Sequence, residues 1–86
     1  MPETRERDLA LVIAEEPLRS ELVHAARHRG YEPHAARTPL EAIQALVRDG
    51  DKIRYAILSS APSWTLPLRE LIAEEYPAIH RLMLVA

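Results

Sequence analysis

Apolar residues follow two periods along this chain, and the two alternate. Residues 9–13, Leu-Ala-Leu-Val-Ile, form a continuous apolar run of strand length, the pattern of a strand covered on both faces. Leu18, Leu22, Ala25 and Ala26 then recur at three-to-four spacing between Pro17 and Gly30. Proline suits a first helical turn and glycine the position past the last, so this spacing predicts a helix whose apolar side meets a sheet. Residues 31–36 read as a second strand. Pro33 inside it cannot donate to an interior ladder, which predicts an edge position. Thr38-Pro39-Leu40-Glu41 joins a capping box to a proline at the first helical position, and Leu40, Ile43, Leu46 and Val47 supply the apolar stripe of the helix it opens. Asp49-Gly50 closes that helix. Residues 55–58, Tyr-Ala-Ile-Leu, predict a third strand. The loop Ser59-Ser60-Ala61-Pro62-Ser63 leads into a third helix with Leu66, Leu68, Leu71 and Ile72, which Pro77 stops. Residues 80–85 predict a fourth strand.

Strands alternating with helices define an α/β chain with a parallel sheet between helical layers, a three-layer α/β/α architecture. Right-handed crossovers, together with the proline-bearing second strand at an edge, give the order 2-1-3-4. Ligand sites in such sheets lie beyond the carboxyl ends of the strands, near the switch point between the first and third. Ala14, Glu15, Glu16, Ser59 and Ser60 fall there.

The 86 residues suffice for one domain, read as residues 9–86 behind a charged tail over residues 1–8. A domain this size buries only about 60 to 65% of its unfolded surface, so a partner is a ready source of extra stability. Cysteine is absent, which excludes disulfides, thiolate catalysis and sulfur-ligated metals. The charged start is unlike a signal peptide, and no apolar run reaches the roughly 18 residues of a membrane span. The expectation is a soluble, cytoplasmic protein that binds no membrane. A net charge of −2 offers no global attraction to nucleic acid, and none is expected as a partner.

Three segments resemble a response-regulator receiver domain, a flavodoxin-like fold. Residues 11–19, Leu-Val-Ile-Ala-Glu-Glu-Pro-Leu-Arg, are similar to the receiver's first strand and acidic loop. Arg29-Gly-Tyr-Glu32, with Ala36, Glu41 and Ala42, resembles its second strand and helix, and Leu82-Met-Leu-Val-Ala86 its fourth strand. In receivers an acidic pair holds Mg²⁺, an aspartate after the third strand accepts phosphate, and a hydroxyl residue and a lysine complete the site. The resemblance sets these roles on Ala14 and Glu15, on Ser60 and on Val85, with no counterpart for the lysine because the fifth strand and helix are missing. Shifting the first loop by one residue would supply Glu15 and Glu16, yet no alignment gives the third strand an aspartate. Phosphoryl transfer to a carboxylate needs that carboxylate and a hard cation held by several oxygens. A hydroxyl with no neighbouring base, as on Ser60, is a poor nucleophile. The resemblance therefore implies a shortened, degenerate receiver that is not an enzyme and holds no metal or cofactor.

Other candidate chemistry has simpler readings. Glu15 and Glu16 suit the start of a Mg²⁺ site but equally the cap of the following helix. His24 and His28, four apart, lack a third ligand at suitable spacing. Arg19, Arg27 and Arg29 make one end of the first helix basic, without aromatics to stack bases. Ser59, Ser60 and Ser63 beside Pro62 are turn formers. Trp64 is either a lid over the pocket or an exposed anchor at an interface. The rival function is a small flavodoxin-like ligand- or metal-binding enzyme fragment using Glu15, Glu16 and Ser60.

The main functional expectation comes from the fourth strand. Leu82, Met83, Leu84 and Val85 make an apolar strand with one open edge, which proteins avoid leaving bare. That predicts a signalling or scaffold module that forms a homodimer, or binds another protein, through this edge.

Overall fold

The computed structural model describes residues 8–84, and the tail before Asp8 and Val85 lie outside them. The described chain runs β1 (Leu9–Ile13), α1 (Leu18–His28), β2 (Glu32–Ala35), α2 (Pro39–Asp49), β3 (Ile53–Ser59), α3 (Thr65–Glu75) and β4 (His80–Leu84). All strand pairs are parallel and the order is β2-β1-β3-β4, as in the flavodoxin-like fold. Pro33 sits in the edge strand, where its missing N–H costs no interior bond. Asp8 belongs to the fold rather than to a tail. Its carbonyl accepts from the Glu32 N–H (2.9 Å), and its carboxylate accepts from Arg54 Nε (3.3 Å).

Helix ends follow local chemistry. Gly30, at φ +90°, turns the chain out of α1 in a conformation that costs other residues, and the Tyr31 N–H then reaches the Ala26 carbonyl at 3.0 Å. At the start of α2 the Thr38 hydroxyl accepts from the Glu41 N–H (3.1 Å). The Glu41 carboxylate reaches back to the Arg37 N–H (2.8 Å), one residue before the usual capping-box partner. Gly50 differs from expectation. It keeps right-handed helical angles, and its lack of a side chain serves packing, since a Cβ there would meet Tyr76 Cε1 at 2.6 Å.

One core cluster joins α2 and α3 to a single face of the sheet. Leu11, Ile13, Ala56 and Leu58 from the strands meet Ala42, Ala45 and Leu46 of α2 and Leu68 and Ile72 of α3. The apolar stripe of α2 is rotated from the predicted one. Ala42, Ala45 and Leu46 face inward, while Leu40, Ile43 and Val47 are exposed. Alanines let the helix backbone approach the sheet closely, and the larger residues are left on the outer side. On α3, Leu66 is likewise exposed, and Leu71 is half-buried.

Among the described residues, the opposite face carries α1 alone. Ala26 is buried and Leu18 and Leu22 are half-buried, but Ala25 is exposed. This helix packs mainly on β2 and β1. One helix covers roughly two strands, since helices pack at 8–10 Å and strands at ~4.8 Å. The described residues therefore leave the β3 and β4 part of this face open.

Candidate functional site

At the carboxyl ends of the strands the side chains are tied to one another. Glu16 accepts from the Ser20 N–H (3.0 Å) and from the Ser20 hydroxyl (2.7 and 2.9 Å), so its carboxylate serves the first turn of α1. These bonds, the hydroxyl first, hold its pKa below the usual carboxylate value, and Arg19 and Arg37 push the same way. Arg19 donates from Nε to the Ala14 carbonyl at 3.0 Å and lies 3.8 Å from Glu16. Ala14 is buried and apolar, and Glu15 points to solvent. The Ser59 hydroxyl is buried and accepts from the Ala61 N–H (3.3 Å), while the exposed Ser60 donates its N–H to the Leu84 carbonyl at 2.9 Å. Of the receiver-site positions, Ala14, Glu15 and Ser60 thus stand at the strand ends, and Val85 lies outside the described residues. Among the described residues no three His, Asp or Glu side chains gather as a metal set, and His24 and His28 are both exposed on α1.

The open face is of another character. Parallel pairing sets Tyr55 beside His80, Ile57 beside Leu82 and Ser59 beside Leu84. Because alternate residues share a face, these six look toward the α1 side. There Ala10, Leu22, Ala25, Tyr55, Ile57 and Leu82 line a groove of about 380 Å³. Leu82 is 48% exposed and Leu84 36%, at the edge of the sheet. Met83 points the other way and packs against the core, as does Trp64, half-buried at the start of α3. Trp64 thus contributes to the packing of α3 on the sheet. At the lower end of the groove the rings of Tyr31, Tyr55 and His80 form a row, with centroids 5.2 and 5.3 Å apart. Interaction with Tyr55, through a hydrogen bond first and then burial, raises the Tyr31 pKa above its ordinary value.

No family model, no curated protein and no solved structure matches this chain. What the surface can do chemically is read from its own residues. It offers apolar and aromatic side chains with Arg29 at the margin, beside a strand edge left unpaired among the described residues. Sequence reasoning reached Leu82 and Leu84 through their strand pattern but missed Leu22, Ala25, Tyr55 and Ile57. Their signal lay in a comparison of the helices: three apolar helix faces must cover two sheet faces, so one face is a helix short. Among the described residues, no helix is long and apolar enough to cross a membrane.

Proposed function

We propose that this chain is a non-enzymatic association module of receiver-like architecture, which acts by protein contact and pairs with a second copy through β4. The observation that carries the reading is the exposure of Leu82 and Leu84 beside the open groove, on a parallel sheet of the kind usually covered on both faces. Two β4 strands related by a two-fold axis run antiparallel, which extends the sheet and pairs the outer N–H and C=O groups of the edge. With the axis normal to the sheet, both open grooves fall on one side and join across the contact. That makes a continuous apolar strip for a protein partner in a signalling or scaffold role.

The acidic loop supports this reading over an enzyme or metal site built on Glu15, Glu16 and Ser60. The Glu16 carboxylate is committed to α1, Ala14 offers no side-chain oxygen, and an aspartate at position 60 is lacking. A composition free of cysteine suits the reducing cytoplasm, the compartment we assign to it.

Light scattering on the chain at micromolar concentration tests the proposal. The expected mass is at least that of a dimer, falling by one step of association in Leu82→Lys. Leu82 is half exposed, so the variant should still fold. A wild-type monomer that melts cooperatively would contradict it.

A further inference from the structure

Helix α2 carries an apolar stripe that the described residues leave exposed. Leu40, Ile43 and Val47 are 64%, 40% and 75% exposed. At spacings of three and four they share one side of the helix with Gln44, and Ala42, Ala45 and Leu46 hold the other side against the core. Three branched apolar side chains in line on a helix are the seam that helix pairs bury.

We propose that a second copy of the chain seats on this stripe, the two α2 helices packing antiparallel about a two-fold axis near Ile43 and Gln44. The inference rests on the β4 reading above and extends it, because a chain with two separate two-fold contacts assembles beyond a dimer, closing as a tetramer where the two axes intersect and running on in rows where they do not. Copies would meet alternately β4 to β4 and α2 to α2.

The stripe is complementary to itself in this orientation. Leu40 and Val47 lie equally far from the midpoint of the seam, so each meets the other's counterpart, and Ile43 and Gln44 meet at the axis. Charge selects the same arrangement. Glu41 is in the first turn, Arg48 is in the last, and both are exposed on one flank. Antiparallel packing sets the same flank of both helices on one side of the seam, which brings Glu41 of one copy toward Arg48 of the other and opposes the helix dipoles, whereas parallel packing would put the two flanks on opposite sides and align the dipoles. Position permits both contacts at once. α2 crosses from β2 to β3 over β1, and so lies toward the sheet edge opposite β4. Eleven residues make a helix only about 16 Å long, which buries less than the roughly 800 Å² per partner of a standard interface. The α2 contact is therefore the weaker one, and assembly beyond the dimer rises with concentration.

Sedimentation of the full chain over a wide concentration range tests this. Wild type should grow beyond a dimer. Val47→Lys and Leu82→Lys should each stop at a dimer, and the two together should give a folded monomer. Arg48→Glu should shift growth several-fold higher in concentration, since it faces Glu41 with a like charge. A wild-type dimer that never grows and ignores Val47→Lys, but becomes monomeric with Leu82→Lys, would overturn the α2 contact and leave the β4 contact standing. A wild-type monomer would overturn both. Val47 is three-quarters exposed, and a melting curve for each variant separates lost contact from lost fold.

Discussion

Replacing Gly50 by alanine should destabilise the protein, although its backbone angles, φ −56° and ψ −33°, suit any residue. The added Cβ would lie 2.5 Å from the Leu46 carbonyl oxygen and 2.6 and 2.9 Å from two carbons of the Tyr76 ring. These distances fall nearly an ångström inside ordinary contact. Neither neighbour yields easily: one is helix backbone, and the ring is packed against the core cluster. Overpacking of this kind costs about 1–3 kcal/mol. Alanine also narrows the unfolded ensemble, which offsets roughly 0.4–1 kcal/mol. The net loss is about 1–2 kcal/mol, which for a domain of this size lowers the Tm by roughly 5–15 °C. Denaturant unfolding would measure it, and a double-mutant cycle with Tyr76→Ala would locate it. If the ring is the obstacle, Gly50→Ala should cost at least about 0.5 kcal/mol less in the Tyr76→Ala background. A Gly50→Ala variant as stable as wild type would refute the steric reasoning.

Other expectations are more local. The Thr65 hydroxyl is buried and has no hydrogen-bond partner among the described residues, so Thr65→Val should gain about 1 kcal/mol in denaturant unfolding. A loss of similar size would mean that the hydroxyl is bonded. Carboxyl NMR should show Glu16 titrating below the ordinary glutamate value, and Ser20→Ala should move it back up. A depressed carboxylate pKa contributes stability that is present above the unfolded value and is lost as pH falls through the folded one, so this contribution fades only in acid. An unshifted Glu16 would contradict the capping geometry. Finally, a small phosphodonor with Mg²⁺ should leave the chain's mass unchanged, because Ser60 stands where a receiver has aspartate. Stoichiometric, Mg²⁺-dependent phosphate incorporation would restore the switch chemistry.

Fold and strand order were legible because each element carries its own signal: the unbroken apolar run of β1, Pro33 for the edge, and the Thr38-Pro39 start of α2. The orientation of α2 was not. Hydrophobicity alone favours Leu40, Ile43 and Val47 for the core, but close packing on a sheet selects small residues, and Ala42 and Ala45 took the inner side. The role of Gly50 was hidden for a similar reason. A glycine after a helix usually answers a backbone need, and this one answers the Tyr76 ring, 26 residues later in the chain. At the candidate surface, the exposed edge of β4 followed from its composition and order. The groove beside it did not, because its width depends on where α1 settles across the sheet, and no local pattern specifies that.

The β4 contact can be observed directly in a sample mixed from isotope-labelled and unlabelled chains, by filtered NOE measurement of cross-chain contacts. Intermolecular NOEs are expected from the Leu82 and Leu84 methyls and between facing β4 backbone protons, in an antiparallel pattern that vanishes with Leu82→Lys. Cross-chain NOEs confined to other elements, or none at a concentration where the protein is folded and monomeric, would contradict it.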